Sequence, residues 1–180
     1  MKIDPIMNTT QNQEPTPDAA PTLQAGAERA DLSVNNLLVP VDFSEPSKKA
    51  LDYATLFARK LGARITLLSV IEDAPFAGLE ENPLAITSQE LEAKVKASLA
   101  GLGARLVGQE RLEAVLVRAG QPFEEIIKAA RALKTDLIII ATHGYTGLRR
   151  VVLGSTAERV VRLAPCPVLT VRRDEDSSTE

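Results

Sequence analysis

Five short apolar runs, separated by stretches of helical periodicity, set the pattern of this chain. The first, Leu37 to Val41, ends at Asp42 and reads as a strand. Ser44 is placed to cap the helix that follows, with Pro46 tolerated in its first turn. Ala50, Ala54, Phe57 and Leu61 then fall at i, i+4, i+7 and i+11, one helical face, and Gly62 stops the helix. Arg64 to Ile71 is the second strand. Residues 72–86 hold Pro75, Gly78 and Pro83 among acidic residues and read as a loop able to fold over a ligand.

The second half repeats the alternation. Thr87 or Ser88 can cap the next helix, with Glu90 near the capping-box position. Leu91, Val95, Leu99 and Leu102 give it an apolar face to about Leu106, and Gly101 and Gly103 weaken its last turns. Leu112 to Val117 is the third strand, ended by Gly120. Pro122 sits just inside a helix whose buried face is Phe123, Ile126, Ile127, Ala130 and Leu133. Asp136 to Ala141 is the fourth strand; its consecutive apolar residues are too few for a buried helix and suit a central strand covered on both faces. Ala157, Val160, Val161 and Ala164 face the last helix inward, Pro165 ends it, and Pro167 to Arg172 is the fifth strand.

Such alternation predicts an α/β domain: a parallel five-stranded sheet between two helix layers, with right-handed crossovers. Ligands of these sheets bind at the carboxyl ends of strands, where strand order reverses. The fourth strand delivers Thr142-His143-Gly144 to that end, and nine residues later Gly154-Ser155-Thr156 opens a helix. The first N–H groups of a helix lack intrahelical partners, the dipole adds positive potential, and small residues admit a phosphate. The plainer reading is that Gly144 and Gly154 permit turns and Ser155 caps a helix.

Ala141-Thr142-His143-Gly144, nine residues, then Gly154-Ser155-Thr156 resembles the nucleotide-binding signature of the universal stress protein family, Gly-x-x-Gly, nine residues, Gly-Ser/Thr. Leu37 to Ser44 looks like that family's opening strand and loop, and Pro165 to Arg172 like its closing strand. The resemblance covers about residues 35 to 173; its one departure is Ala141 in place of the first glycine. It implies a Rossmann-like, adenine nucleotide α-hydrolase-like fold with strand order 3-2-1-4-5. It also implies ATP with Mg2+ as ligand, held by Pro40, Val41, Asp42, Val70, Ile140, Ala141, His143, Gly144, Gly154, Ser155 and Thr156. In it Asp42 meets the adenine or ribose, and the residue at Val70 touches the adenine ring. Dimerisation through the fifth strand, residues 167–172, is a further implication. An ordinary core role for Val70 and a turn role for Asp42 fit the residues equally well. Position 141 ends a strand, where φ is usually negative, so alanine is expected to be tolerated there.

Composition narrows the rest. Apolar residues are 44% of the 180, but aromatics only 3%, so the core is aliphatic and base-stacking nucleic-acid platforms are not expected. The net charge is −3. Residues 1–33 sum to −3 and residues 174–180 to −4, leaving the body near +4. Residues 1–33, proline-rich and without periodicity, read as a disordered leader; residues 34–173 as the folded domain; residues 174–180 as a flexible acidic tail. The single cysteine, Cys166, allows no intrachain disulfide. With no membrane-length apolar run and no signal peptide, a cytoplasmic protein without membrane or nucleic-acid partners is expected.

No Walker A or Gly-x-Gly-x-x-Gly pattern occurs, and the single histidine, His143, excludes a multi-histidine metal site. His143 reads as a backbone donor rather than a base, Cys166 as packing rather than nucleophile, and Tyr145, Arg149 and Arg150 as an excursion whose arginines are solvated. No trio assembles a hydrolytic site, so regulatory nucleotide binding ranks ahead of turnover. The alternatives are a nucleotide-independent dimeric interaction protein of the same fold and an adenylyl-transferring hydrolase.

Overall fold

The computed structural model describes residues 33–72, 88–142 and 153–172. The expected leader up to residue 32, the loop from 73, the acidic tail, His143, Gly144 and the excursion bearing Tyr145, Arg149 and Arg150 lie outside the described residues. In chain order the elements are β1 (Asn36–Pro40), α1 (Glu45–Leu61), β2 (Arg64–Ile71), α2 (Ser88–Leu106), β3 (Leu112–Ala119), α3 (Pro122–Ala132), β4 (Leu137–Ala141), α4 (Ser155–Leu163) and β5 (Val168–Val171). They form one sheet of order β3-β2-β1-β4-β5. Every neighbouring pair is parallel. The fold is therefore the Rossmann-like α/β/α arrangement expected from the alternation.

Strand alternation sends successive side chains to opposite faces, and two cores follow. On one face Leu37, Val39, Ile65, Leu67 and Ile139 meet Ala50, Leu51, Ala54 and Ala58 of α1 and Leu99 and Leu102 of α2. On the other, Leu38, Leu68, Ile138 and Ile140 meet Ile126, Ala129 and Ala130 of α3 and Ala157 and Val160 of α4. β1 lies at the centre, with Leu38 and Val39 fully buried.

Ser44 caps α1 as expected: its hydroxyl accepts the Ser47 N–H at 3.3 Å. Gly62 ends the helix at φ 75°, a left-handed conformation that favours glycine. Leu61, expected on the buried face, instead stands 49% exposed at the fraying end beside that cap. Val161 is likewise 48% exposed, because α4 rests on the sheet through Ala157 and Val160.

α2 departs most from its pattern. Leu91 is 39% exposed and Val95 only partly buried, so the helix packs from Leu99 onward rather than along its whole apolar stripe. The helix runs through both glycines to Leu106, and Gly103 brings α2 against the sheet. A Cβ there would lie 2.9 Å from Leu112 Cδ2 and 3.0 Å from Leu67 Cδ1. Asp136 precedes β4 rather than belonging to it. Its Oδ2 accepts the N–H groups of Asn35 at 2.9 Å and Asn36 at 2.8 Å, fixing the start of β1 against β4. Among the described residues, no helix is long and apolar enough to cross a membrane.

Candidate functional site

β1 pairs with β2 on one side and β4 on the other, so the sheet's order reverses there. The strands' carboxyl ends, together with the first turns of α3 and α4, enclose a crevice of about 450 Å³. That volume falls in the range of small-molecule sites. Pro40, Val41, Asp42, Val70, Ile140, Ala141, Gly154, Ser155 and Thr156 all line it. His143 and Gly144, the remaining residues expected there, lie outside the described residues.

The crevice lining mixes apolar and polar groups. Val70, Pro122 and Ile126 contribute apolar surface, from β2 and α3. Gly154, Ser155 and Thr156 contribute the N-cap and first turn of α4. Gly154 is the N-cap of α4, at φ −67° and ψ 153°, and offers no side chain to cap the helix. The first bond of the helical ladder runs from the Glu158 N–H to the Gly154 carbonyl, so the amides of Ser155, Thr156 and Ala157 belong to the unladdered first turn. Ser155 is exposed and Thr156 partly so, which sets two hydroxyls at the rim. A helix N-terminus is a general feature of anion sites, and apolar side chains with a few polar groups are general features of small-molecule sites.

Asp42 lines the crevice just after β1. Its Oδ1 accepts both the Ser44 N–H at 3.0 Å and the Ser44 hydroxyl at 2.5 Å, a short Asx turn that orients the carboxylate. The turn role and the crevice position therefore coexist. The bend bringing this about runs through Phe43, held at φ 64°, an uncommon conformation for a residue with a side chain. Periodicity carries no signal for it. Ala141 is buried, and the positive-φ residues among those described other than glycine are Phe43 and Lys134. Position 141 thus has no conformational need for glycine.

Ser47, Leu68, Glu72, Pro122, Ile126 and Ala157 also line the crevice without having been expected there, and so does Thr142 of the signature turn. The signal was available for two of them: Leu68 shares a sheet face with Val70, and Pro122 opens a helix on the same end of the sheet. Asp42 and Glu72 are the carboxylates of the described lining. On α3, Glu125 is buried, bonded to Lys128 Nζ at 2.7 Å and approached by Arg118 at 3.5 Å. The bond from Lys128, with Arg118 adding to it against the penalty of burial, holds its carboxyl below the usual range. Cys166 is half-buried against the α3–α4 core, and burial pushes its thiol up, which makes it packing rather than nucleophile. Among the described residues, no group of three His, Cys, Asp or Glu side chains is placed to hold a metal.

Comparison with known proteins agrees with this architecture. The model of the universal stress protein family matches residues 33–172. The universal stress protein MJ0531 of Methanocaldococcus jannaschii is 35% identical over 145 residues, covering 76% of this chain and 81% of the relative. The solved structure of MJ0577, from the same organism, is 30% identical with a TM-score of 0.68, covering 78% of this chain and 97% of that one. Two other solved universal stress proteins, each 19% identical and similar in fold, were determined in complexes: one with cAMP, at TM-score 0.59, covering 77% of this chain and 97% of its own, and one from Archaeoglobus fulgidus with dAMP, at 0.53, covering 78% and 98%.

Proposed function

The chain belongs to the universal stress protein family, and on that premise we propose that it is a cytoplasmic regulatory protein of the stress response that binds ATP with Mg2+ at the carboxyl ends of β1 and β4. The observation that carries this reading is the convergence on one crevice of the β1 end, Val70 and the first turn of α4. The adenine lies against Val70, Pro122 and Ile126, the ribose near Asp42, and the phosphates on the amides and hydroxyls of Ser155 and Thr156. His143 and Gly144 contribute backbone groups to the same phosphates. Mg2+ arrives bound to the phosphates. Each hydrogen bond to a charged phosphate oxygen contributes about 1.5–3 kcal/mol, so three or four make up much of the roughly −8 kcal/mol of micromolar binding. The proposed role is regulatory binding, with ATP held at the first turn of α4 beside the ends of β1 and β4. The cAMP and dAMP complexes of fold relatives support an adenine nucleotide as the ligand class.

Calorimetric titration of nucleotide-stripped protein with ATP and Mg2+, beside a Gly154→Glu variant, tests the reading. Saturable micromolar binding is expected in the wild type and none in the variant, whose carboxylate would meet the phosphates. Silence of the wild type at millimolar ATP would remove ATP as the ligand.

A second reading, a dimeric interaction protein, has its own observation. β5 is the sheet's edge, and beside it lies an open groove of about 410 Å³ lined by Lys49, Tyr53, Phe57 and Leu169 to Arg172. Edge strands pair unless protected, so a homodimer through residues 167–172 is proposed in either reading. A monomer mass by light scattering at micromolar concentration would exclude it.

A further inference from the structure

Helices α3 and α4, whose first turns both contribute to the crevice, are joined by a contact that neither the motif nor the core requires. Arg159 lies on α4 four residues after Ser155, so the two share a helical face. Side chains in a helix lean toward its N-terminus, so the Arg159 side chain leans toward the turn that bears Ser155. Its Cζ stands 4.7 Å from the centroid of the Phe123 ring, on the second residue of α3. Phe123 is partly buried against the α3–α4 core, and its neighbour Pro122 lines the crevice. The ring is thus a fixed platform and the cation a rim group, in a water-accessible position. Salt bridges account for Arg162, paired with Glu158 one turn away, but none is formed by Arg159 among the described residues.

We propose that Arg159, held over Phe123, is a specificity-determining residue that favours phosphorylated over unphosphorylated nucleosides. The argument rests on the nucleotide reading above and adds to it a named source of charge. Backbone amides and hydroxyls supply directed donors at the phosphate end; a guanidinium at the rim supplies a full positive charge that a neutral nucleoside cannot use. An exposed cation over a ring keeps one position through a contact worth a few-fold in its equilibrium. That fixes the charge near Ser155 without burying it. Its effect on an anion falls as salt rises.

The experiment is a double-mutant cycle on binding. Affinities for ATP and for adenosine are measured with wild type, Arg159→Ala, Arg159→Lys, Phe123→Leu and the Arg159→Ala/Phe123→Leu double variant, at low and high salt. Arg159→Ala is expected to weaken ATP roughly three- to fivefold at low salt, with adenosine unchanged and the loss shrinking in high salt. Arg159→Lys keeps most of the ATP affinity. Phe123→Leu loses part of it, and the double variant loses no more than Arg159→Ala alone. Equal weakening of ATP and adenosine, or ATP binding indifferent to Arg159→Ala, overturns the proposal while leaving the nucleotide site standing. A wild type that binds neither ligand overturns the nucleotide reading and this assignment together. Arg159 is exposed, so its variants retain the fold, and unchanged melting temperatures verify this.

Discussion

The Thr142 carbonyl accepts the Gly154 N–H at 2.7 Å. One hydrogen bond thereby joins the residue after β4 to the N-cap of α4, across the intervening excursion. Thr142 also donates its own N–H to the Val171 carbonyl at 2.9 Å. β4, β5 and α4 therefore meet at a single buried residue, and the first turn of α4 is held at the mouth of the crevice.

That arrangement separates two reasons for a glycine at 154. Its φ of −67° is open to any residue, so backbone conformation does not require glycine there, and under the proposed function its role is to leave room for the ligand. Gly154→Ala is expected to change the melting temperature little, since the roughly 0.4–1 kcal/mol gained by removing a glycine is offset by alanine being a poorer N-cap by a similar amount. ATP affinity, in contrast, should fall about tenfold, or roughly 1.4 kcal/mol, because a methyl group stands where a phosphate approaches. Calorimetry and thermal unfolding of the same variant measure both effects. A fall in stability matched by unchanged affinity would assign the glycine to the fold.

Position 141 yields the complementary result. Ala141 is not held at positive φ and is buried at the strand end. Ala141→Gly, which restores the family's signature, should change ATP affinity by less than about twofold and lower stability by roughly 0.5–1 kcal/mol through added unfolded-state entropy. A tenfold gain in affinity would show that the methyl group crowds the ligand.

The fold was legible because each level agreed. Aliphatic runs such as Leu137 to Ile140 and helical spacings such as Ala50, Ala54 and Phe57 each admit one placement in an alternating parallel sheet. The site was legible where it depends on small residues at fixed spacing, as at Gly154, Ser155 and Thr156. What escaped depends on neighbours distant in sequence. Phe43 bends at positive φ because the β1–α1 connection must turn Asp42 toward the crevice while Ser44 caps α1. Leu91 is exposed because α2 reaches the sheet only near Gly103, a fact set by Leu67 and Leu112 on other strands. Pro122 and Ile126 entered the lining through the docking of α3, which periodicity places on a face but not at a site.

The two glycines of α2 should respond oppositely to alanine. A Cβ at Gly103 would meet Leu112 and Leu67 at about 3 Å, whereas one at Gly101 meets nothing within 4 Å. Gly103→Ala is expected to destabilise by at most about 1–2 kcal/mol, the overpacking cost less the propensity gain of about 1 kcal/mol. Gly101→Ala should stabilise by up to about 1 kcal/mol on helix propensity. Urea midpoints of the two variants decide the matter, and shifts of the same sign would contradict the close approach of α2.

The Glu125 carboxylate links stability to pH. Lys128 and Arg118 hold its pKa below the ordinary value in the folded protein. Folding therefore favours the ionised form, and that contribution is fully present above the unfolded-state pKa of about 4.3. It is lost as pH falls through the lower folded value. Glu125→Gln removes the titration, so the variant should be less stable than the wild type at neutral pH. The gap should then narrow as the solution is acidified below about pH 4.3. The start of α3, where Pro122 and Ile126 line the crevice, lies next to this contact, so its loss should also loosen that wall. Urea midpoints of both proteins from about pH 7 to about pH 3.5 provide the test. A gap that stays constant across that range would mean that Glu125 contributes packing and neutral hydrogen bonds alone.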